Sequence, residues 1–264
     1  MVEVLLASLR EAERLGQSAR AIELRAEILA LRLGGLSSAE LPSHLSKGDC
    51  ALLFNQARDL RALGRFPEAL EVLDEAQRYA GLLGDLHQEQ LLGLHAVHCC
   101  LEGLSESAAL LTEAGRRLTM LGIEVPGNPA AARAAVEALG TPRSGPRNRT
   151  ALRLEGFYAL GRYQAATGAL GEADRTFSRA LSEPGVRQVE SVRGDEILVW
   201  LHEVRLDRGD FAGCDALRQV QRDEPENPLT VPMGATAQLK WQVLGAMLLR
   251  LRTRLTEAEQ VLAL

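Results

Sequence analysis

The feature that most constrains this chain is a set of small residues that returns at matched offsets along its length. Between Leu154 and Arg187, Leu160, Gly161, Gly168, Ala173, Phe177, Ala180 and Pro184 punctuate two amphipathic stretches that meet at Gly168. Corresponding offsets recur from Cys50, where Gly64, Phe66, Ala69, Leu73 and Ala76 follow one another. Pro67 there falls at the first turn of the second stretch, where a missing N–H costs nothing. Small side chains at such positions let two antiparallel helices approach, and a ring such as Phe177 fills the gap against the next pair. A hairpin of this kind cannot bury its apolar face alone, so the pattern predicts a stack of hairpins.

Fainter copies begin near Val2 (Gly16, Ala21, Ile28), Glu89 (Ala96, Gly103, Ala108, Leu111), Asp195 (Leu198, Gly209, Phe211, Cys214) and Leu239 (Ala246, Leu255, Ala258). Most starts lie about forty residues apart, longer than the roughly 34-residue helical-hairpin repeat, so lengthened helices or loops must separate the copies. Together these offsets resemble the tetratricopeptide repeat (TPR) family. The spacing is similar to the divergent repeats in sensor regions of large bacterial transcriptional activators. The resemblance implies an all-α fold, a right-handed α-solenoid of about six antiparallel helical hairpins.

Composition agrees with that class. The 264 residues suffice for a continuous core without disulfides or metals, and 46% apolar with 4% aromatic content favours Ala/Leu helix packing over a sandwich of β-branched and aromatic residues. A net charge of −5, from 35 acids against 30 bases, offers no general attraction to nucleic acid or anionic lipid. Lys47 and Lys240 are the lysines; every other base is an arginine, able to grip a carboxylate through two nitrogens. Cys50, Cys99, Cys100 and Cys214 form no disulfide framework and suit a reducing compartment. Glu3, Arg10 and Glu11 interrupt what a signal peptide would need, and no apolar run approaches the roughly eighteen residues of a membrane span. The expectation is a soluble, cytoplasmic protein without membrane contact.

Two interruptions organise the chain. Gly34–Asp49, with Pro42, reads as a long polar connector, and Thr141–Arg149 carries prolines, a glycine and arginines. Between Asn128 and Gly140 a short helix with an Asn cap and a Gly stop stands unpaired before the second interruption. The reading is N-terminal hairpins over 1–140, a Pro/Arg loop over 141–150 and C-terminal hairpins over 151–264, as two sub-solenoids or one continuous one. The last copy ends on the apolar run Val-Leu-Ala-Leu without a polar capping helix. That predicts a fragment of a longer protein, or a C-terminal helix that docks on a partner or on a second copy.

Signs of chemistry are sparse. Neither lysine follows a glycine, so no phosphate loop ending in Gly-Lys exists, and there is no G-x-S-x-G, H-E-x-x-H or C-x-x-C. His95, His98, Cys99 and Cys100 could bind zinc by residue type, but they lie within one repeat helix with no second ligand pair at a suitable spacing, so packing is the reading preferred. His202 and Trp200 read as core or inter-helix residues. Glu102, Glu106, Glu113, Asp195 and Glu196 read as helix starts or solvated faces. Arg143, Arg147 and Arg149 offer a weak phosphate or nucleic-acid contact. No catalytic, cofactor or metal site is expected, with an enzyme or metal-binding protein as the remote alternative.

The TPR resemblance also implies where a partner sits, because the first helix of each hairpin lines a concave groove. Carried over position by position, the groove takes Arg10, Glu13 and Arg14 from the first copy and Phe54, Arg58 and Arg61 from the second. Glu155, Tyr158 and Arg162 come from the fourth, and Glu196, Glu203 and Asp207 from the fifth. Arginines interleaved with rings suit a protein or peptide bearing acidic groups. The alternative is that several of these arginines form ion pairs within the stack. Relatives that clamp a C-terminal carboxylate prefer Lys and Asn at such positions, whereas this chain has arginine there with Ala51 and Gln90 elsewhere, a departure that counts against that ligand. The function implied is a protein–protein interaction scaffold. The alternative is the partner- or ligand-sensing region of a bacterial transcriptional regulator whose DNA-binding part lies outside this chain.

Overall fold

The computed structural model describes residues 1–140, 145–183, 193–223 and 235–262, and among them every regular element is helical. The chain divides into two compact units, the first covering Met1–Asn128 and the second Pro129–Leu139 with the helices from Gly145 onward. The first unit holds α1 (Val2–Arg14), α2 (Ser18–Leu33), α3 (Leu41–His44), α4 (Lys47–Ala62), α5 (Phe66–Leu82), α6 (Leu86–Glu102) and α7 (Ala109–Met120). The second holds α8 (Pro129–Glu137), α9 (Pro146–Ala166), α10 (Leu170–Leu181), α11 (Arg193–Asp207), α12 (Phe211–Asp223) and α13 (Ala235–Leu262). Within the first unit α1/α2, α4/α5 and α6/α7 pair, and in the second α9/α10 and α11/α12 do so.

One turn closes most of these pairs. After α1, Gly16 takes φ 66° and its N–H donates to Glu13 O, while the Gln17 N–H reaches back to Ala12 O at 2.9 Å. Positive φ is free of strain without a Cβ, and the two bonds satisfy carbonyls at the helix end. Gly64, Gly168 and Gly209 repeat it inside hairpins; Gly84 and Gly122, which the offsets did not mark, repeat it after α5 and α7. Gly103, which the offsets of the copy near Glu89 include, does different work. It lies in a 3-10 turn, and a Cβ there would come within 2.7 Å of Leu110 and 3.0 Å of Phe66.

The small-residue logic holds where it was clearest. A Cβ on Gly161 would meet Phe177 at 2.4 Å, and Ala173, Phe177 and Ala180 are fully buried, so ring and glycine interlock between α9 and α10. In the first unit, buried Arg25 donates to Glu13 and Asp59, both at 2.6 Å, tying α1, α2 and α4 together. Arg117 of α7 likewise takes Asp74 of α5, at 2.5 and 2.9 Å.

Three local readings change. The connector Gly34–Asp49 is not loop throughout. Leu41 and Leu45 are buried around α3, and the Ser46 N–H and hydroxyl donate to Asp49 at the start of α4, whose carboxylate also meets Arg32 at 2.5 Å. In the Pro/Arg interruption, Pro146 opens α9, because proline is harmless in a first turn. Arg147 and Arg149 therefore ride on that helix, and Arg143 lies outside the described residues. The helix expected to stand unpaired, α8, packs on α9: a Cβ on Gly156 would meet Leu139 at 2.7 Å and Val136 at 2.9 Å. Arg133 to Glu172 and Arg179 to Glu137, both 2.7 Å, pin α8 to α10. The copy expected from Leu239 falls within one helix, α13, which buries Ala237, Trp241, Leu244 and Leu248 along one stripe.

A candidate protein-binding face

The residues assigned to a groove lie on the first helices of the hairpins, and the two units treat them differently. On α1, Arg10 and Arg14 are exposed, and Arg14 grips Glu11 at 2.6 Å. Glu13 is drawn to buried Arg25 instead. On α4, Phe54 is half-buried and stacks on His95 of α6 with centroids 4.8 Å apart. Arg58 is exposed, 3.9 Å from its neighbour Asp59. Arg61 forms a two-pronged pair with Glu102 of α6, at 2.9 and 2.6 Å. The expectation of internal ion pairs thus holds for Arg14 and Arg61.

In the second unit α9, α11 and α13 bring their residues together. Tyr158 and Arg162 stand one turn apart on α9, and the Arg162 guanidinium lies over the Tyr158 ring at 5.5 Å and the Trp200 ring at 5.0 Å. Such stacking fixes a long side chain by the attraction of a cation for an aromatic face. Beside it opens a cavity of about 170 Å3, lined by Tyr158, Asp195, Glu196, Val199, Trp200, Lys240 and the first turn of α13. Glu155 and Glu196 are half-buried and Lys240 is exposed. Burial and the nearby Asp207 push the Glu203 carboxyl above its usual range, against the pull of Lys240 and Arg162.

Asp195 stands in the first turn of α11, the helix start expected for it, yet it is buried at 5% exposure, and its carboxylate accepts the Glu196 N–H at 2.8 Å. Trp200, read from sequence as a core or inter-helix residue, is half-buried and walls the cavity. Its position was recoverable: Glu196, Trp200, Glu203 and Asp207 recur at helical spacing on one face of α11. His202, on the opposite face, is fully buried against Trp241 at 4.8 Å.

The histidine–cysteine stretch of α6 sits in packed interior. His98, Cys99 and Cys100 have no exposed surface, and burial raises the Cys99 thiol to about 12 and the Cys100 thiol to about 11. Among the described residues no group of three or more His, Cys, Asp or Glu could hold a metal ion, and no helix is long and apolar enough to cross a membrane. Another cavity, of about 470 Å3, lies between α5, α6 and α7, where Arg117 holds Asp74 and Arg116 holds Glu113.

No protein-family model matches the sequence, and no curated protein matches it. Among solved structures the chain is similar to a Podospora anserina protein described as a kinesin light chain with nearly identical TPR-like repeats. The two share 16% identity at a TM-score of 0.53, over 85% of this chain and 95% of that one. Tandem antiparallel hairpins, recurring glycine turns and this likeness agree on one conclusion: the chain has the TPR-like repeat fold.

Proposed function

We propose that this protein is an interaction scaffold that receives a segment of a partner polypeptide on the face formed by α9, α11 and α13, without making or breaking bonds. The observation that carries the reading is the pair of rings, Tyr158 and half-exposed Trp200, standing beside an open cavity with charged groups at its rim. A large ring held rigidly at a cavity mouth is the kind of group that dominates binding energy at protein interfaces. A regulator's partner-sensing region would use the same surface within a longer chain; the reading frame that contains this sequence distinguishes that use from a free-standing scaffold.

The test is a selection of displayed twelve-residue peptides on the intact chain, followed by fluorescence anisotropy of the winners. Trp200→Ala should weaken them by about 2 kcal/mol, roughly thirtyfold. Winners that bind the variant as well as the parent would end this assignment.

A further inference from the structure

We infer that the cavity between α5, α6 and α7 of the first unit is a binding site for a cationic head, an alkylguanidinium or alkylammonium group on an aliphatic stem. The inference stands apart from the α9–α11–α13 face and does not depend on what that face receives.

The ionic pairing around the cavity decides the sign of the ligand. Arg117 is held by Asp74 at 2.5 and 2.9 Å and by Glu113 at 2.7 Å. Arg116 is held by Glu113 at 2.6 and 2.7 Å, and Arg78 lies over the Tyr79 ring with Glu75 3.6 Å away. Each arginine of the lining therefore has a carboxylate of its own chain beside it. Glu89 has no such counterpart: half-buried in the same wall, its side chain forms no hydrogen bond or ion pair among the described residues. The amide of Gln77, half-buried across from it on α5, is unpaired as well. An entering anion would have to draw an arginine from its internal partner, whereas an entering cation meets an open carboxylate and an amide oxygen. The cavity also lies where α5 and α7 end, and the partial negative charge of a helix C-terminus favours a cation.

Shape adds the stem. A volume of about 470 Å3 is within the range of small-ligand pockets and exceeds what a bare head fills. Leu82 and Met120, 43% and 67% exposed, give it an apolar wall together with Leu121. Gly93 keeps that wall in place: a Cβ there would meet Leu121 at 3.0 Å and Gln77 at 3.1 Å, so its absence lets both side chains lie against α6. The Glu89 carboxylate in turn lies against Gly81 of α5, 3.7 Å from where a Cβ would stand.

The test is a ligand-observed NMR titration of the intact chain at low salt with butylguanidine, beside pentanamide and pentanoate as neutral and anionic groups on a stem of similar length. Butylguanidine should bind with a dissociation constant of about 1 mM or below, ahead of both analogues. Glu89→Gln should weaken it about tenfold. Glu71→Gln removes the same charge from an exposed position of α5 outside the cavity and should leave binding unchanged. Arg78→Ala, which takes a like charge from the rim, should tighten binding about twofold; an anionic ligand would respond with the opposite sign. Thermal melts of each variant report folding separately. The peptide Gly-Gly-Arg-Gly-Gly distinguishes the source of the head: binding tighter than butylguanidine assigns it to a partner polypeptide, weaker binding to a free organic cation, and both support the site. Preference for pentanoate, indifference to Glu89→Gln, or failure of both butylguanidine and the peptide to bind would overturn the inference.

Discussion

The two units use most of their arginines alike and differ at one face. In the first, Arg25, Arg32, Arg61 and Arg117 each close on a carboxylate of a neighbouring helix, and Arg25 and the Asp49 carboxylate are wholly buried. In the second, Arg133, Arg179, Arg205 and Arg252 pin helices in a similar manner, yet Arg162 lies over rings and carboxylates stand in the wall of a cavity. Inward-closed pairs hold hairpins together in both units, and the α9–α11–α13 face is where the proposed partner would dock. The most direct way to break this contrast is to cut one arginine in each unit. Arg25→Ala should cost about 3 kcal/mol or more, since it opens a gap where a fully buried side chain stood and takes the ion pair from Asp59, which is 15% exposed. Arg162→Ala, losing a partly solvated stack, should cost about 1 kcal/mol. Urea denaturation measures both, and equal costs would erase the distinction.

How much of this could be read in advance depends on the range of the interaction. Helix pairing and the close approach at Gly161 were legible, because both follow from spacing within a single hairpin; Phe177 was expected to fill the gap against the next pair, and instead it packs over Gly161 of its own pair. Arg25 was not, for its partners lie 12 and 34 residues away and no periodicity of α2 announces them. The groove offsets named Tyr158, Arg162, Glu196 and Glu203, which lie on the adjacent helices α9 and α11, but an offset is blind to the next hairpin. It could not know that Glu102 would take Arg61, or that Lys240 would join the rim. Pro146 and Pro42 misled for a simpler reason: proline marks a loop or a first helical turn with the same letter.

Titration sharpens the comparison next. His202 is fully buried between Trp241 and the charges of Arg218, Arg205 and Asp215, and burial, aided by the two arginines, lowers its value from 6.5 to about 4. In the folded state the imidazole stays neutral where the unfolded chain would protonate it. Stability is therefore complete above about pH 6.5 and is lost as pH falls toward 4, by about 3 kcal/mol from this group. Unfolding free energies from urea titrations at pH 7.5 and 4.5 should differ by about that amount more in the parent than in His202→Phe. Parallel pH profiles would show that the ring is not buried as described.

Packing, unlike charge, should follow one rule in both units. Gly103 makes room for Phe66 in the first unit and Gly161 for Phe177 in the second, and an added Cβ would come within 3.0 and 2.4 Å of the respective rings. Alanine at either site gains helix propensity but forces an aromatic side chain to move, a net loss of about 1–3 kcal/mol. Gly161→Ala should be the worse because its contact is closer. Gly171→Ala, which meets nothing within 4 Å, is the control and should be neutral or stabilising. A costly Gly171→Ala would mean that backbone freedom, not the ring, sets the price.

The smallest effects test the first unit alone. Arg61 and Arg58 share α4 and were assigned to one groove, but Arg61 is 15% exposed and bonded twice to Glu102, whereas Arg58 is 61% exposed. Arg61→Ala should cost about 1 kcal/mol, because a two-pronged pair joining two helices sits at the upper end of what a partly solvated bridge contributes. Arg58→Ala should fall within about 0.5 kcal/mol of the parent. In a double-mutant cycle, Glu102→Gln should couple to Arg61→Ala and not to Arg58→Ala. Coupling to Arg58 would mean that both arginines belong to the inward network, leaving exposed Arg10 as the outward charge on that face.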